Sequence, residues 1–444
     1  IVLMQVENIL FSLFFVFSIF LFVKNLRKII SNIKLGKDIN RSDNKSLRLK
    51  NMFRVALGQS KMFDRPIAAF LHLLIYVGFV IINIEVIEII IDGIFGTHRF
   101  LAHIINLKLY SFLIASFEVL AFLVLFSCVI FLIRRNVLKI KRFWSKEMTK
   151  WPKTDANLIL IFEILLMTAF ILMNTSDQIL QNRNIDHYIV AGSFPISSLF
   201  VPLFDSFSSA NLILIERITW WFHILGILGF LNYVLISKHL HIFFAFPSTY
   251  YANINKLGQF DNLDSVTKEV KLMLDPNADP FANPTEDNQV NSSLFGARDA
   301  TDLNWVQLLN AYSCTECGRC SSVCPANQTG KLLSPRKVMM DTRDRIEEIG
   351  NNDEKDNNYL LGNFITKEEL WACTTCNACT DACPINLDPL SIIVDLRRYL
   401  VMEESSAPTE LNNMFSNVEN NGAPWQFSAA DRLKWVDENN HKEN

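Results

Sequence analysis

Along the first 250 residues, long apolar runs alternate with short polar loops; beyond them the pattern is that of a polar, acidic-leaning soluble segment. Five runs are long enough to cross a bilayer core of roughly 30 Å, which takes about 20 helical residues. They lie near residues 6–25, 66–91, 109–133, 156–176 and 211–237. With no water to satisfy backbone polar groups, each is expected to be an α-helix. A further apolar stretch, Ile189 to Phe204, contains Gly192, Pro195 and Pro202 and is shorter than a span. It reads as an interfacial or re-entrant segment. The opening Ile1-Val2-Leu3-Met4 has neither a basic leader nor a cleavage site, so the first run reads as a retained helix.

Charge orients these spans. The loop from Lys24 to Arg65 carries about a dozen Lys and Arg, and Arg134 to Lys153 about eight more. The other two loops, 94–108 and 177–210, hold only Arg99, Lys108 and Arg183. Basic loops stay in the cytoplasm. Five spans then put the N-terminus outside and everything after about residue 240 inside. Counting 189–204 as a sixth span would reverse that end. The net charge of −3, with no basic stripe away from the membrane-flanking loops, excludes nucleic acid as a partner. Residues 250–310 form a polar connector punctuated by Asp275-Pro276, Asp279-Pro280 and Asn283-Pro284.

Eight of the nine cysteines fall in two groups, Cys314-Thr-Glu-Cys317-Gly-Arg-Cys320-Ser-Ser-Val-Cys324-Pro325 and Cys373-Thr-Thr-Cys376-Asn-Ala-Cys379-Thr-Asp-Ala-Cys383-Pro384. Both read C-x2-C-x2-C-x3-C-P. Three thiolates at this spacing wrap one cubane, and the fourth reaches the other cluster. Cluster A is therefore assigned to Cys314, Cys317, Cys320 and Cys383, and cluster B to Cys373, Cys376, Cys379 and Cys324. Structural zinc is the competing use of C-x2-C pairs, but zinc has no need of a third Cys two residues on or of the trailing Pro. Thiolate clusters also call for a reducing compartment, in independent agreement with the orientation from charge. Cys128, alone in an apolar run, reads as a small core filler. About fifty residues with helical character separate the motifs, including Lys367-Glu368-Glu369-Leu370-Trp371. This resembles the α-helical ferredoxin domain of succinate dehydrogenase iron–sulfur subunits and heterodisulfide reductase small subunits.

Seven of the eight histidines lie between residues 72 and 241. A His within a hydrocarbon slab is costly and marks a functional site by default. Haem b needs two axial imidazoles from facing helices at one depth. His72, at the inner end of the second span, and His241, just past the fifth, meet that requirement. His223 lies within the fifth span, and His239 reads as a polar neighbour or a contact to a haem propionate. Carboxylates also occur at membrane depth: Glu85, Glu88, Glu118 and Glu163. Glu85 and Glu88 share a helix face, which suits either proton exchange with a quinone or a helix–helix hydrogen bond.

This five-helix, N-out and C-in arrangement resembles the nitrate reductase gamma-subunit family, which has a His at the inner end of helix two and a helix-five pair eighteen apart, here His223 and His241. The resemblance implies two b haems between helices two and five, the inner one on His72 and His241 and the outer one on His223. The family's second helix-two His falls at Ile82 here. The missing ligand then comes from His98 or His103 at the outer mouth, or the outer haem is absent.

The fusion of such a cytochrome to a helical ferredoxin resembles the membrane subunits related to heterodisulfide reductase. The expected fold is all-α: a transmembrane haem b domain over 1–245, a connector over 246–305, a cytoplasmic ferredoxin domain with two [4Fe–4S] clusters over 306–402 and a polar tail over 403–444. The resemblance implies a bacterial inner-membrane protein that relays electrons between a cytoplasmic partner and menaquinone, in either direction. It implies a catalytic partner bearing Cys-Cys-Gly iron–sulfur domains, and electron-transfer flavoprotein as a donor. No nucleotide fingerprint appears, so this chain reads as the electron-transfer subunit and catalysis is expected on the partner. Two other classes compete. A transporter with a redox-sensing ferredoxin domain predicts several broken, polar-lined helices; a non-redox anchor predicts that the histidines are replaceable without loss of electron transfer.

Overall fold

The computed structural model describes residues 2–277, 294–351 and 357–440. The chain is all-helical; among the described residues there is no strand, only isolated bridges such as Lys37 with Asn304. Five long apolar helices form a bundle: α1 (Val2–Ile33), α2 (Pro66–Phe95), α3 (Leu107–Leu132), α4 (Trp151–Asn182) and α5 (Ser209–Tyr233). Each is long and apolar enough to cross a membrane. The helices outrun the apolar stretches, because a helix continues its hydrogen-bond ladder through polar end residues that hydropathy does not count. Their starts are local in origin. Pro66 and Pro152 occupy first turns, where no N–H partner is needed, and the Asn106 and Ser208 side chains accept from Lys108 N and Asn211 N. Gly96 closes α2 at φ 70°, with its N–H donating to Asp92 O.

Within the bundle α4 packs against α3 and α5, α2 against α3, and α1 against α2 and α5. Small residues allow close approach: a Cβ on Gly78 would fall 2.5 Å from Val124, and one on Gly226 2.6 Å from Leu166. The 189–204 segment is irregular, with a single turn at Ser197–Leu199 and a short helix Val201–Phe204. Its buried turn dips between α3 and α4, where Glu118 accepts from Ile196 N at 2.9 Å and from Ser197 N at 3.1 Å. Non-helical backbone inside a bundle needs such partners, so Glu118 has a structural task.

Beyond the bundle come α6 (His241–Tyr251), α7 (Trp305–Ser313), α8 (Pro335–Asn351) and α9 (Pro389–Met402). The connector contains a further helix, Asp264–Leu274; Asp279-Pro280 and Asn283-Pro284 lie outside the described residues. One apolar core runs without a break from Ile29 and Ile33 of α1, through Leu240 and Phe244, to Leu308, Ile346 and Leu396 of the cysteine-bearing part. The two parts therefore share a core at one end of the bundle. The two basic loops sit at that same end and dock the cysteine part. Arg65 Nη2 donates to Ser322 Oγ at 2.8 Å, Lys61 Nζ to Asp381 O at 2.9 Å, and the buried Arg336 pairs with Glu147 at 2.7 Å. Part of the loop charge is thus spent on intramolecular contact.

Candidate redox centres

Each cysteine motif folds into a loop followed by a short helix, Arg319–Val323 in the first and Ala378–Asp381 in the second, and these two helices pack together. The loops share one backbone. Glu316 and Gly318 flank Cys317 at φ 53° and 69°; Thr375 and Asn377 flank Cys376 at 55° and 61°. Three of these four are not glycine, and a left-handed non-Gly residue costs roughly 1–2 kcal/mol. Strain of this kind repeated at matched positions marks a functional loop. Left-handed turns aim successive N–H groups into a concavity that suits an anionic group such as an iron–sulfur cluster with its thiolates. Thr375 N donates to Cys373 Sγ at 3.4 Å and Leu387 N to Cys383 Sγ at 3.3 Å.

The chain crossing brings distant cysteines together. Cys314, Cys317, Cys320 and Cys383 line one small cavity, with Cys379 on its wall. Cys373 has Cys324 and Cys376 as its electrostatic neighbours. Burial pushes the Cys314 thiol up to about 12 and that of Cys383 up to about 11. As free thiols they stay protonated at neutral pH and are poor nucleophiles; a bound iron would take them as thiolates. No three or more His, Cys, Asp or Glu among the described residues converge on a single-ion site. Two sets of four cysteines, each with a third Cys two residues on and a trailing Pro, match the ligand spacing of [4Fe–4S] clusters.

Three histidines share a second feature. His72 Nδ1 faces Gln59 Oε1 at 3.1 Å, His241 Nδ1 faces Lys238 O at 2.9 Å, and His223 Nδ1 faces Leu166 O at 3.1 Å. The Gln59 amide pins His72 at this ring nitrogen. The Leu166 and Lys238 carbonyls only accept, so Nδ1 of His223 and of His241 carries the proton and each Nε2 keeps its lone pair. This is the tautomer a metal-ligating imidazole needs, with its other nitrogen pinned. His72 interacts electrostatically with His241, and His239 with both. Burial, then the neighbouring His241, Lys238 and His72, push His239 well below the ordinary imidazole range, and burial lowers His241 too. The His239 and His241 rings lie 5.6 Å apart, and His239 Nδ1 is buried without a partner.

The outer histidines are placed differently. His98 Nε2 meets Asp177 Oδ1 at 3.1 Å, and its Nδ1 accepts from Ile189 N at 3.4 Å, so neither nitrogen is free. His103 is exposed on the short helix Phe100–Ile104. His223 packs on Phe170 of α4. The structure does not bring His98 or His103 to it.

At the far end of the bundle from the cysteines lies a cavity of about 240 Å³ between α1, α2, α4 and α5. Its lining is both apolar and charged and includes Glu85, Glu88, Arg99, Asp177, Arg217 and Trp220. The two helix-two carboxylates part company here. Glu88 accepts from Leu101 N at 2.8 Å and from the Tyr110 hydroxyl, whereas Glu85 is 3% exposed and its Oε2 has no partner. Gln59, Lys238 and Glu316 escaped the sequence reading, because polar loop residues give no periodicity and no motif. The strained positions in C-x-E-C-G and C-x-T-C-N were the nearest signal.

Residues 310–387 match the 4Fe-4S dicluster domain family. The chain is 28% identical, over 97% of its length, to the probable iron-sulfur-binding oxidoreductase FadF of Bacillus subtilis. It is 26% identical, over 91%, to the EtfAB:quinone oxidoreductase of Syntrophomonas wolfei. A probable membrane-anchored ferredoxin of Chromohalobacter salexigens is 30% identical over 32% of the chain and 24% of that protein. The chain spans 61% and 56% of the lengths of the first two. No solved structure matches it. The chain therefore carries a 4Fe-4S dicluster domain behind five apolar helices and is similar to iron–sulfur oxidoreductases.

Proposed function

We propose that the chain is a membrane electron-transfer module, joining a cytoplasmic redox partner to the quinone pool through two [4Fe–4S] clusters and haem b. Bound clusters and haem supply single-electron steps at potentials tuned by burial and hydrogen bonding. The observation that carries the reading is the inner histidine group: His72 and His241, each with Nδ1 bonded and Nε2 free, beside the loop of the first cysteine motif. These two residues hold the inner haem. His223, with the same tautomer as His241, is the ligand available to a second, while His98 positions Asp177. In this reading Cys314, Cys317, Cys320 and Cys383 hold the membrane-side cluster, and Cys373, Cys376, Cys379 and Cys324 the partner-side one. Cys376 is the exposed cysteine of the eight.

Menaquinone is the substrate of the outer cavity, whose volume of about 240 Å³ suits one quinone headgroup, and Glu85, with Oε2 unpartnered, is the acid there for proton exchange. The domain limits are 1–245, 246–305, 306–402 and 403–444, with the cysteine part in the cytoplasm of a bacterial inner-membrane protein. An electron-transfer flavoprotein and an iron–sulfur protein with Cys-Cys-Gly domains are the partners this assembly suits; the quinone oxidoreductase relative supports the first by its name. Haem b by pyridine haemochrome and total iron per purified chain test the reading. One or two haems with about eight cluster irons are expected; cluster iron with no haem overturns it.

A further inference from the structure

Lys238 occupies the turn between α5 and α6 and with its two ends touches His241 and, in the first cysteine loop, Glu316. Its carbonyl accepts the His241 Nδ1 proton at 2.9 Å. Its ammonium donates to Glu316 Oε2 at 2.8 Å and to Pro152 O at 2.7 Å. Glu316 lies between Cys314 and Cys317, at the strained φ of 53°. Both side chains are buried, Lys238 at 9% exposure and Glu316 at 3%. Arg343 binds the other Glu316 oxygen at 3.0 Å. Asp155 on α4 completes the setting: it accepts from Lys238 N at 3.2 Å and from the Tyr233 hydroxyl at 2.6 Å, 3.6 Å from the ammonium. Glu316 and Asp155 are thus set among Lys238, Arg343 and Arg135, the last donating to the same Pro152 carbonyl at 3.3 Å.

A buried pair of this kind is weak support for stability, because desolvation offsets the attraction. A specific geometry is its better-attested use. We propose that Lys238 is a positioning residue for electron transfer: it ties the first cysteine loop to the inner histidine and neutralises the carboxylate beside that loop. The proposal rests on the reading of His241 and Cys314/Cys317 as ligands. Through its carbonyl, Lys238 fixes the imidazole tautomer and keeps Nε2 basic. Through its ammonium, it removes a negative field that would oppose adding an electron to the adjacent cluster. A path with two hydrogen bonds, Glu316–Lys238 and Lys238–His241, and the peptide bond from Glu316 to Cys317 then joins the two centres.

The test uses the full-length chain in detergent, with electron paramagnetic resonance redox titration of both clusters and optical titration of the haem. In Lys238→Met the midpoint of cluster A is expected to fall while that of cluster B stays. Haem re-oxidation through the clusters should slow by at least about tenfold, the lower end for loss of an outer-shell partner. Glu316→Gln should move cluster A the opposite way, and the double variant should return it close to the wild-type midpoint. Lys238→Arg should restore most of the shift. Equal shifts in both clusters, or none in either, overturn the proposal. Should Lys238→Met fail to fold, Glu316→Gln reads the same quantity with the opposite sign. A wild-type chain without haem would instead overturn the function proposed above, and the cluster A shift would still report on the Lys238–Glu316 pair.

Discussion

The two cysteine loops have the same spacing and the same left-handed backbone, yet they live in different surroundings. In the first, Cys314 is buried, Gly318 lies under the Arg336 guanidinium, and Arg319 donates to the Lys61 and Met62 carbonyls of the membrane part. In the second, Thr374, Thr375 and Cys376 are all exposed. Two copies of one motif are made unequal by what packs on them. One loop is part of the seam with the helix bundle, and the other is open to solvent.

The largest effect that would break this comparison comes from the ligands. Cys317→Ser should remove about half the cluster iron and cut electron flow from cluster B to haem by at least about a hundredfold. Cys376→Ser should slow only reduction by the partner, leaving cluster A and its exchange with the haem near wild type. Stopped-flow haem reduction with the two variants checks this; equal losses would erase the proposed polarity.

Backbone swaps sharpen it at a smaller scale. A Cβ on Gly318 would come within 2.3 Å of Arg336 Nη1, whereas the equivalent Asn377 already carries a side chain. Gly318→Asn is expected to destabilise by about 1–3 kcal/mol, and Asn377→Gly by a few tenths or less. Thermal unfolding reads both.

The smallest effect is electrostatic. Burial opposes the charge on Glu147, but its bonds to Arg336 outweigh that and hold the carboxyl below its ordinary value of 4.5. A lowered folded value means that the contribution is complete above about pH 4.5 and is lost as the pH falls through the folded value. Below about pH 4.5 the 141–150 loop should open before 374–377, and Glu147→Gln should remove that pH dependence. Hydrogen exchange, corrected for intrinsic rates, measures both segments.

How much of this was legible in sequence follows the range of the interactions. The spans were readable because bilayer-length apolar runs are a local property, and 189–204 was separable by its Gly and Pro. The cysteine loops were readable because the four cysteines of each motif have only two or three residues between neighbours. The histidine settings were not. The partners of His72, His223 and His241 are Gln59, the Leu166 carbonyl and the Lys238 carbonyl, and two of these are backbone atoms with no sequence signature. The docking role of the basic loops was hidden for a related reason: Lys and Arg flanking a membrane have a sufficient explanation in topology alone. Glu85 and Glu88 looked equivalent on one helix face, and only the Leu101 amide and the Tyr110 hydroxyl tell them apart.

The measurement closest to the central claim is the haem content of His72→Ala beside that of wild type, with the cluster resonance signals recorded on the same samples. Loss of one haem per chain with both cluster signals intact is the result predicted by an inner site built on His72 and His241. Unchanged haem content, with the clusters intact, would contradict it.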